Sequence, residues 1–355
     1  MTNNNKLPAP KRDVFGARGR SRATMKDVAA LAGVGLSTVS RVVNGDPRVS
    51  DAKTAAVLKA IGHLGFRRND SARQLRVGAT QSIGLLIENV VDPFFSHLTQ
   101  AVENYAFERD TLLLSASSTR DPERARRLVL AFCARRVDGL IVTPVDSTDS
   151  GYLQAELDAG IPIVCVDRPA VGIDADTVLS DGRGGAYKGV AHLIAHGHRR
   201  IACFTDRGAV YTAQQRVDGY RDALASAGIP YDPALVYSNT PDNEVFGAAL
   251  RDMLSLDDPP TAIFTGNNRS TIVLLQELAH VENRLALVGF DDFELSDAVV
   301  PGVTVVAQDP TEMGKSAAEQ LFRRIDGDTG ASRMIVLGTT LIARGSGEIV
   351  PPAQP

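Results

Sequence analysis

The 355-residue chain is 44% hydrophobic and 23% charged, a balance that excludes a disordered protein and supplies more than one core. It holds no run of about 18 apolar residues to span a bilayer, and its N-terminal residues lack the apolar stretch of a secretory signal, so a cytoplasmic protein without membrane contact is expected. Charge is unevenly spread: residues 1–80 carry 15 Lys and Arg against 5 Asp and Glu, the remainder 23 against 37, so the basic end suits a polyanion and the acidic body does not.

Residues 1–22, rich in Asn, Pro, Gly, Lys and Arg without apolar periodicity, are predicted to be a flexible basic arm. In TMKDVAALAG, Thr24 can cap a helix with Asp27 three residues on, Val28 and Leu31 give an apolar stripe, and Gly33 ends it. A tight GVG turn leads into LSTVSRVVN, with Val39, Val42 and Val43 at helical spacing and Asn44 and Gly45 as the stop. Two short helices joined this way form a helix-turn-helix. A third helix starts at a Ser50 cap, and Val57, Leu58, Ile61 and Leu64 should cover the first two. The domain spans 23–68. Residues 69–80 then hold only about two turns of helix, too short to be stable alone in water, and read as a hinge and linker.

From Ser82 onward, short Val/Ile/Leu-rich runs alternate with amphipathic segments: SIGLLIEN, TLLLSAS, DGLIVTPV, IPIVCVD, RIACFTD, TAIFTG, LALVGF and GVTVVAQ. Such runs are buried parallel strands in doubly wound α/β layers. About nine of them exceed one comfortable sheet, so two Rossmann-like lobes with a cleft between them are expected over 81–345. Ligands bind beyond the carboxyl ends of such strands, which directs attention to Asp167, Arg168, Asp206, Asn267, Asn268, Asp291, Asp292, Gln308 and Asp309. Cys133, Cys165 and Cys203 lie far apart beside apolar segments, as buried thiols do. The Pro-rich end lacks leucine heptads, and 346–355 is predicted to be a flexible tail.

The run TMKDVAALAGVGLSTVSRVVNGDPRVS resembles the lactose and galactose repressor (LacI/GalR) family of bacterial transcription regulators. The likeness continues through NDSARQL, DPFF, RRVDGLIV, VDRP, GHRRIA, AQQRVDGYRDAL, VGFDD and VAQDP. It implies a small all-α helix-turn-helix headpiece joined to a two-lobed, periplasmic-binding-protein-like sensor domain. It also implies a repressor that binds a pseudo-palindromic double-stranded DNA operator as a homodimer and is controlled by a small polar effector. By that resemblance Leu36, Ser37 and Arg41 read bases, and Thr24, Thr38, Ser40 and Asn44 face the backbone. Arg41 can bond guanine O6 and N7 together. Asn69, Ala72 and Leu75 match the hinge, Ala72 and Leu75 sharing a helix face that suits a minor-groove wedge.

In the sensor domain the resemblance gives Phe94, Phe95, Arg216, Asn267, Asp291 and Gln308 as effector-binding. Carboxylate, amide and guanidinium suit vicinal hydroxyls and an aromatic ring suits a sugar's C–H face, although a purine fits the same groups. Each has a plainer alternative: a helix cap for Asp291, a turn for Asn267, core packing for the two phenylalanines. Asp167 and Arg168 suit either the cleft or an ion pair between lobes. Two departures from the family pattern stand out: Gly35, where Ser is common and would cap the recognition helix, and Arg68, where a rigid Pro is common. No cofactor or metal is implied. An enzyme is the first rival reading, but His63, His97, His192, His196, His198 and His280 form no HExxH or Ser-His-Asp pattern. A transporter's solute-binding protein is the second, which the helix-turn-helix opposes.

Overall fold

The computed structural model describes residues 23–66, 80–145, 150–280 and 284–352, in two compact units divided between Gly78 and Ala79. The expected arm at 1–22 and the hinge residues Asn69, Ala72 and Leu75 lie outside the described residues.

Among the described residues, the first unit holds three helices: α1 (Met25–Ala32), α2 (Leu36–Val43) and α3 (Asp51–Leu64). Thr24 and Asp27 form the reciprocal capping box: the Asp27 carboxylate accepts from the Thr24 backbone N–H at 2.8 Å, while Thr24 Oγ1 accepts from Asp27 N–H at 3.4 Å. Gly33, at φ +65°, closes α1 in the left-handed conformation. Gly35 stands at the N-cap of α2 without a side-chain bond, the lost cap expected there. Ser50 holds the N-cap position of α3, yet its side chain makes no capping bond. Val28, Val39, Val57 and Ala60 form the buried centre. Contrary to expectation, Leu31 and Leu58 are about half exposed. Neighbouring helical residues stand about 100° apart, so Leu58 turns away once Val57 points inward, and Ala32 takes the inner place beside Val28.

The second unit contains two six-stranded sheets, ordered β11-β5-β4-β3-β1-β2 and β12-β10-β9-β8-β6-β7. The N-terminal lobe holds β1 (Ser82–Ile87), β2 (Leu112–Ser117), β3 (Leu140–Val142), β4 (Ile163–Val166), β5 (Asp176–Ser180) and β11 (Met334–Leu337), all parallel. The C-terminal lobe holds β6 (Ile201–Thr205), β7 (Val236–Ser238), β8 (Ala262–Thr265), β9 (Ala286–Phe290), β10 (Thr304–Ala307) and the antiparallel edge β12 (Thr340–Ile342). Among the described residues, twelve strands thus stand where about nine were expected. The additions lack continuous apolar runs: β7, β11 and β12 are half-exposed edges, and β5 opens on Asp176, whose carboxylate is held by Arg324 at 2.6 Å.

In the N-terminal lobe, α4 (Pro93–Phe107) and α11 (Pro310–Ile325) cover one face and α5 (Pro122–Ala134) and α6 (Gly151–Asp158) the other. The C-terminal lobe is sandwiched between α7 (Gly182–Ala195) with α8 (Tyr211–Ser226) and α9 (Asn243–Leu254) with α10 (Asn268–Leu278). The paired helices touch closely through glycine. A Cβ on Gly219 of α8 would stand 2.1 Å from the Arg183 carbonyl oxygen of α7, and one on Gly314 of α11 would stand 2.5 Å from that of Leu98 in α4.

The chain passes between lobes three times: after β5, after β10 and after β11. A flexible tail from 346 is not what is found over 346–352. Ser346 Oγ donates to Leu287 O at 2.6 Å, Glu348 meets His192 at 2.5 Å and Ile349 O accepts from His198 Nε2 at 2.7 Å. Buried backbone and a carboxylate–imidazole pair hold this segment to the lobe.

Candidate functional site

In the headpiece, α2 turns Val39 inward and presents Leu36, Ser37, Arg41 and Asn44 outward. Positions 36, 40 and 44 form one column and 37 and 41 the next, so the exposed face is continuous. Thr38 and Ser40 are half-buried at its margins and Thr24 is exposed at the start of α1. Asn44 Nδ2 lies 3.5 Å from Ser40 Oγ. This face offers one guanidinium fork, short hydroxyls and an apolar tip, the inventory that reads base edges and grips phosphates.

In the second unit, a cleft lies where the carboxyl ends of both sheets meet. All six expected effector residues, Phe94, Phe95, Arg216, Asn267, Asp291 and Gln308, line it. Their roles differ. Arg216, on α8 and 6% exposed, donates from Nη1 to Gly266 O at 2.5 Å, stands 3.5 Å from the Asp291 carboxylate and stacks 3.9 Å over Phe290. Gln308, on the crossing after β10, donates to the other oxygen of Asp291. Burial pushes the Asp291 carboxyl above the usual carboxylate range, against the opposing pull of Arg216 and Gln308.

Asn267 is the N-cap of α10: its side-chain oxygen accepts from Ser270 N–H at 2.8 Å, which leaves its NH₂ as the group to offer. Asp291 is not a cap. It sits at φ +69° directly after β9, as Asp167 does at φ +71° after β4, so each lobe turns a carboxylate into the cleft through a left-handed residue. Phe95 belongs to the core; Phe94, edge-on to it at 5.0 Å between centroids, is half-buried.

Asp167 and Arg168 pair with each other at 2.8 Å within one lobe rather than across the two. Among the described residues, an ion pair that does cross is Arg120–Asp206, at 2.6 Å. Arg120 also donates from Nε to Glu88 at 2.7 Å, and Glu88 meets Arg168 at 2.7 Å. A chain of charge therefore runs Asp206–Arg120–Glu88–Arg168–Asp167. A second interlobe bond joins Asn268 Nδ2 to Asp92 at 3.4 Å. Burial raises the pKa of Asp92 more than the Phe94 N–H and Asn268 lower it.

Arg120 and its neighbour Thr119 are held at φ +60° and +53°, costing about 1–2 kcal/mol per residue for side chains other than glycine. Glu88, Asp92 and Arg120 escaped the sequence reading. Asp92 had a signal, an Asp-Pro helix start after β1, whereas Arg120 lies three residues past the end of β2, beyond the positions directly after the strands.

The cleft sets five carboxylates (Glu88, Asp92, Asp167, Asp206, Asp291) against four guanidiniums (Arg120, Arg168, Arg216, Arg269), so its charges nearly balance, with one carboxylate in excess. The space left is about 60 Å³, room for roughly two waters at about 30 Å³ each. Two buried polar atoms on its wall, Arg216 Nε and Thr205 Oγ1, have no hydrogen-bond partner among the described residues. Larger hollows of about 450–660 Å³ lie elsewhere, but this cleft is lined by both lobes and by the two residues that carry the orphaned atoms. No group of three His, Cys, Asp or Glu among the described residues could hold a metal ion, and no helix among them is long and apolar enough to cross a membrane.

Known proteins share this organisation. Residues 24–69 match the family model described as bacterial regulatory proteins, lacI family, and residues 190–347 match that of the periplasmic binding protein-like domain. The ribose operon repressor of Escherichia coli K12 is 35% identical over 330 residues, covering 91% of this chain and 99% of its own. The HTH-type transcriptional repressor PurR of Aliivibrio salmonicida is 28% identical, over 91% and 98%. A solved complex of the transcriptional regulator CelR with cellobiose is 31% identical, with a TM-score of 0.69 over 92% of this chain and 100% of that one. The lac repressor dimer bound to operator and an anti-inducer, at 24% identity, has the same fold: TM-score 0.80 over 92% and 99%.

Proposed function

The chain belongs to the lacI family of bacterial regulatory proteins, DNA-binding transcription repressors with a helix-turn-helix headpiece and a periplasmic-binding-protein-like sensor domain, and from that premise we propose that its cleft takes a small uncharged sugar that relieves repression. The observation that carries this reading is the pair of orphaned polar atoms, Arg216 Nε and Thr205 Oγ1, on residues that line a cleft whose buried arginines already face carboxylates. Three of its four guanidiniums, Arg120, Arg168 and Arg216, already face carboxylates, so an anionic ligand would compete with them. A sugar hydroxyl, donor and acceptor at once, accepts from Arg216 Nε while it donates to a carboxylate. Asp291, Gln308 and the NH₂ of Asn267 supply further partners, and Phe94 a C–H-facing ring. A purine lacks a second exposed ring to stack on, since Phe95 is core and Arg216 covers Phe290. The relative named ribose operon repressor makes D-ribose the first sugar to test.

Arg41, Ser37 and Leu36 read the operator in this proposal, with Thr24, Thr38, Ser40, Asn44 and the hinge residues Asn69, Ala72 and Leu75 as further contacts. A homodimer reads its two halves, supported by the exposed Ile272, Leu295, Val299 and Val300 of the C-terminal lobe. Coupling of about 1–3 kcal/mol between cleft and headpiece changes operator affinity roughly 5–150-fold. The test is fluorescence anisotropy of the full chain on a duplex from its own promoter and on a scrambled control, with and without D-ribose, other sugars and hypoxanthine. Sequence-dependent binding weakened by one sugar supports the proposal; binding unmoved by any sugar, or moved by hypoxanthine alone, overturns it.

A further inference from the structure

We propose that Arg120 is a built-in stand-in for the effector: it bridges the lobes in the free protein, and the sugar enters by displacing its guanidinium from Asp206. This rests on the sugar reading above and adds an exchange step to it. Three observations carry it. The Arg120–Asp206 pair spans the cleft at 2.6 Å, joining an N-terminal-lobe side chain to a C-terminal-lobe carboxylate that is itself 3% exposed. With that bridge in place only about 60 Å³ remains, short of a sugar ring and far below the roughly 300 Å³ at which ligand pockets begin. Finally, guanidinium only donates. Arg120 satisfies Asp206 and Glu88, while Arg216, which lines the same cleft, has an Nε donor with no acceptor among the described residues.

A hydroxyl can do both tasks. It donates to the Asp206 carboxylate that Arg120 vacates and accepts from Arg216 Nε, so the exchange repairs the unmet bond. Arg120 keeps Glu88 when it lets go of Asp206, and Asp206 keeps the Arg207 backbone N–H at 2.8 Å. The left-handed Thr119–Arg120 pair, anchored by Thr119 N–H to Glu88 O at 2.8 Å, aims the side chain across the gap. The sugar therefore competes with an internal group, and its apparent affinity is lowered by the fraction of molecules in which the bridge is closed.

The test uses the full chain and two readouts. Isothermal titration with D-ribose should give Arg120→Ala a Kd at least threefold tighter than wild type and Arg120→Lys an intermediate one, because lysine cannot fork between Glu88 and Asp206. Asp206→Ala, which breaks the bridge and also removes the acceptor, should bind at least tenfold more weakly. Opposite signs from the two ends of one ion pair are not what general loss of structure produces. An Arg120→Ala Kd equal to or weaker than wild type overturns the proposal. Without sugar, hydrogen exchange should be faster in Arg120→Ala across Gly266–Ser270, in the opposite lobe; unchanged exchange there also overturns it. Should Arg120→Ala not fold, Arg120→Lys carries both readouts with the same signs required. If no sugar binds the wild type, the sugar reading fails, and hydrogen exchange still decides the bridge.

Discussion

Replacing Arg216 by Met tests the electrostatic heart of the cleft. The substitution keeps the apolar stem over Phe290 but removes the cation 3.5 Å from Asp291 and the donor to Gly266 O. Breaking a buried pair by deleting one partner costs about 3–5 kcal/mol, and a carbonyl left unbonded about 1–3 kcal/mol. Asp291 retains Gln308 and is already displaced toward its neutral form, which places the expected loss near the bottom of that range, about 3 kcal/mol at pH 7.5. In the mutant the folded pKa of Asp291 rises further above its ordinary 3.8. The cost of holding it ionised is then full above that folded pKa and fades as the pH falls through it, so the deficit shrinks on going to pH 5. Urea unfolding at both pH values, with Asp291→Asn and the double variant, is the assay. A deficit under about 0.5 kcal/mol, one that grows on acidification, or a double variant whose loss equals the sum of the singles refutes the reasoning.

Gly219→Ala drives a methyl into the Arg183 carbonyl and should cost about 2 kcal/mol or more in the same unfolding assay, since backbone on both sides leaves nothing to yield. Gly35→Ser has room for its Cβ, 3.8 Å from Ser37 Oγ, and should raise headpiece stability by a few tenths of a kcal/mol, whereas Thr24→Ala should lower it by about 1 kcal/mol. Burial pushes the Cys165 and Cys203 thiols up to about 12, so both should resist Ellman's reagent at pH 8 in the native protein and react once guanidinium unfolds it. Arg41→Ala should remove about 1–3 kcal/mol of discrimination between operator and scrambled DNA in anisotropy titrations while nonspecific binding persists.

Local chemistry made the headpiece legible. The Thr24–Asp27 cap, the Gly33 stop and the valine spacing of α2 each leave a mark within four residues, and all three stand where the sequence put them. The sheets were readable where strands are buried on both faces and blurred where they are edges, as at β7, β11 and β12. In the cleft, residues at ends of apolar strands could be found by rule, Asp206 and Asp291 among them. Arg120 could not, because its importance comes from a partner 86 positions away in the sequence, and ion pairs between lobes leave no period. Leu31 and Leu58 show the opposite error: their spacing is helical and apolar, yet three valines suffice to fill so small a centre.

The threefold passage of the chain between lobes has a consequence for its synthesis. The N-terminal lobe starts first but cannot finish first, because α11 and β11, which supply Met313, Ala317, Leu321, Phe322 and an edge strand, emerge after the entire run from β6 to β10. Until then Ile83, Leu85, Val164 and Val178 have half their cover, an apolar face presented to the nascent chain's surroundings. The C-terminal lobe, nearly continuous from α7 to β10, closes earlier and waits for one antiparallel edge and the segment at 346–352. A nascent chain that has emerged as far as Ala307 would thus carry a nearly complete second lobe and an open first one, the form on which a chaperone would act.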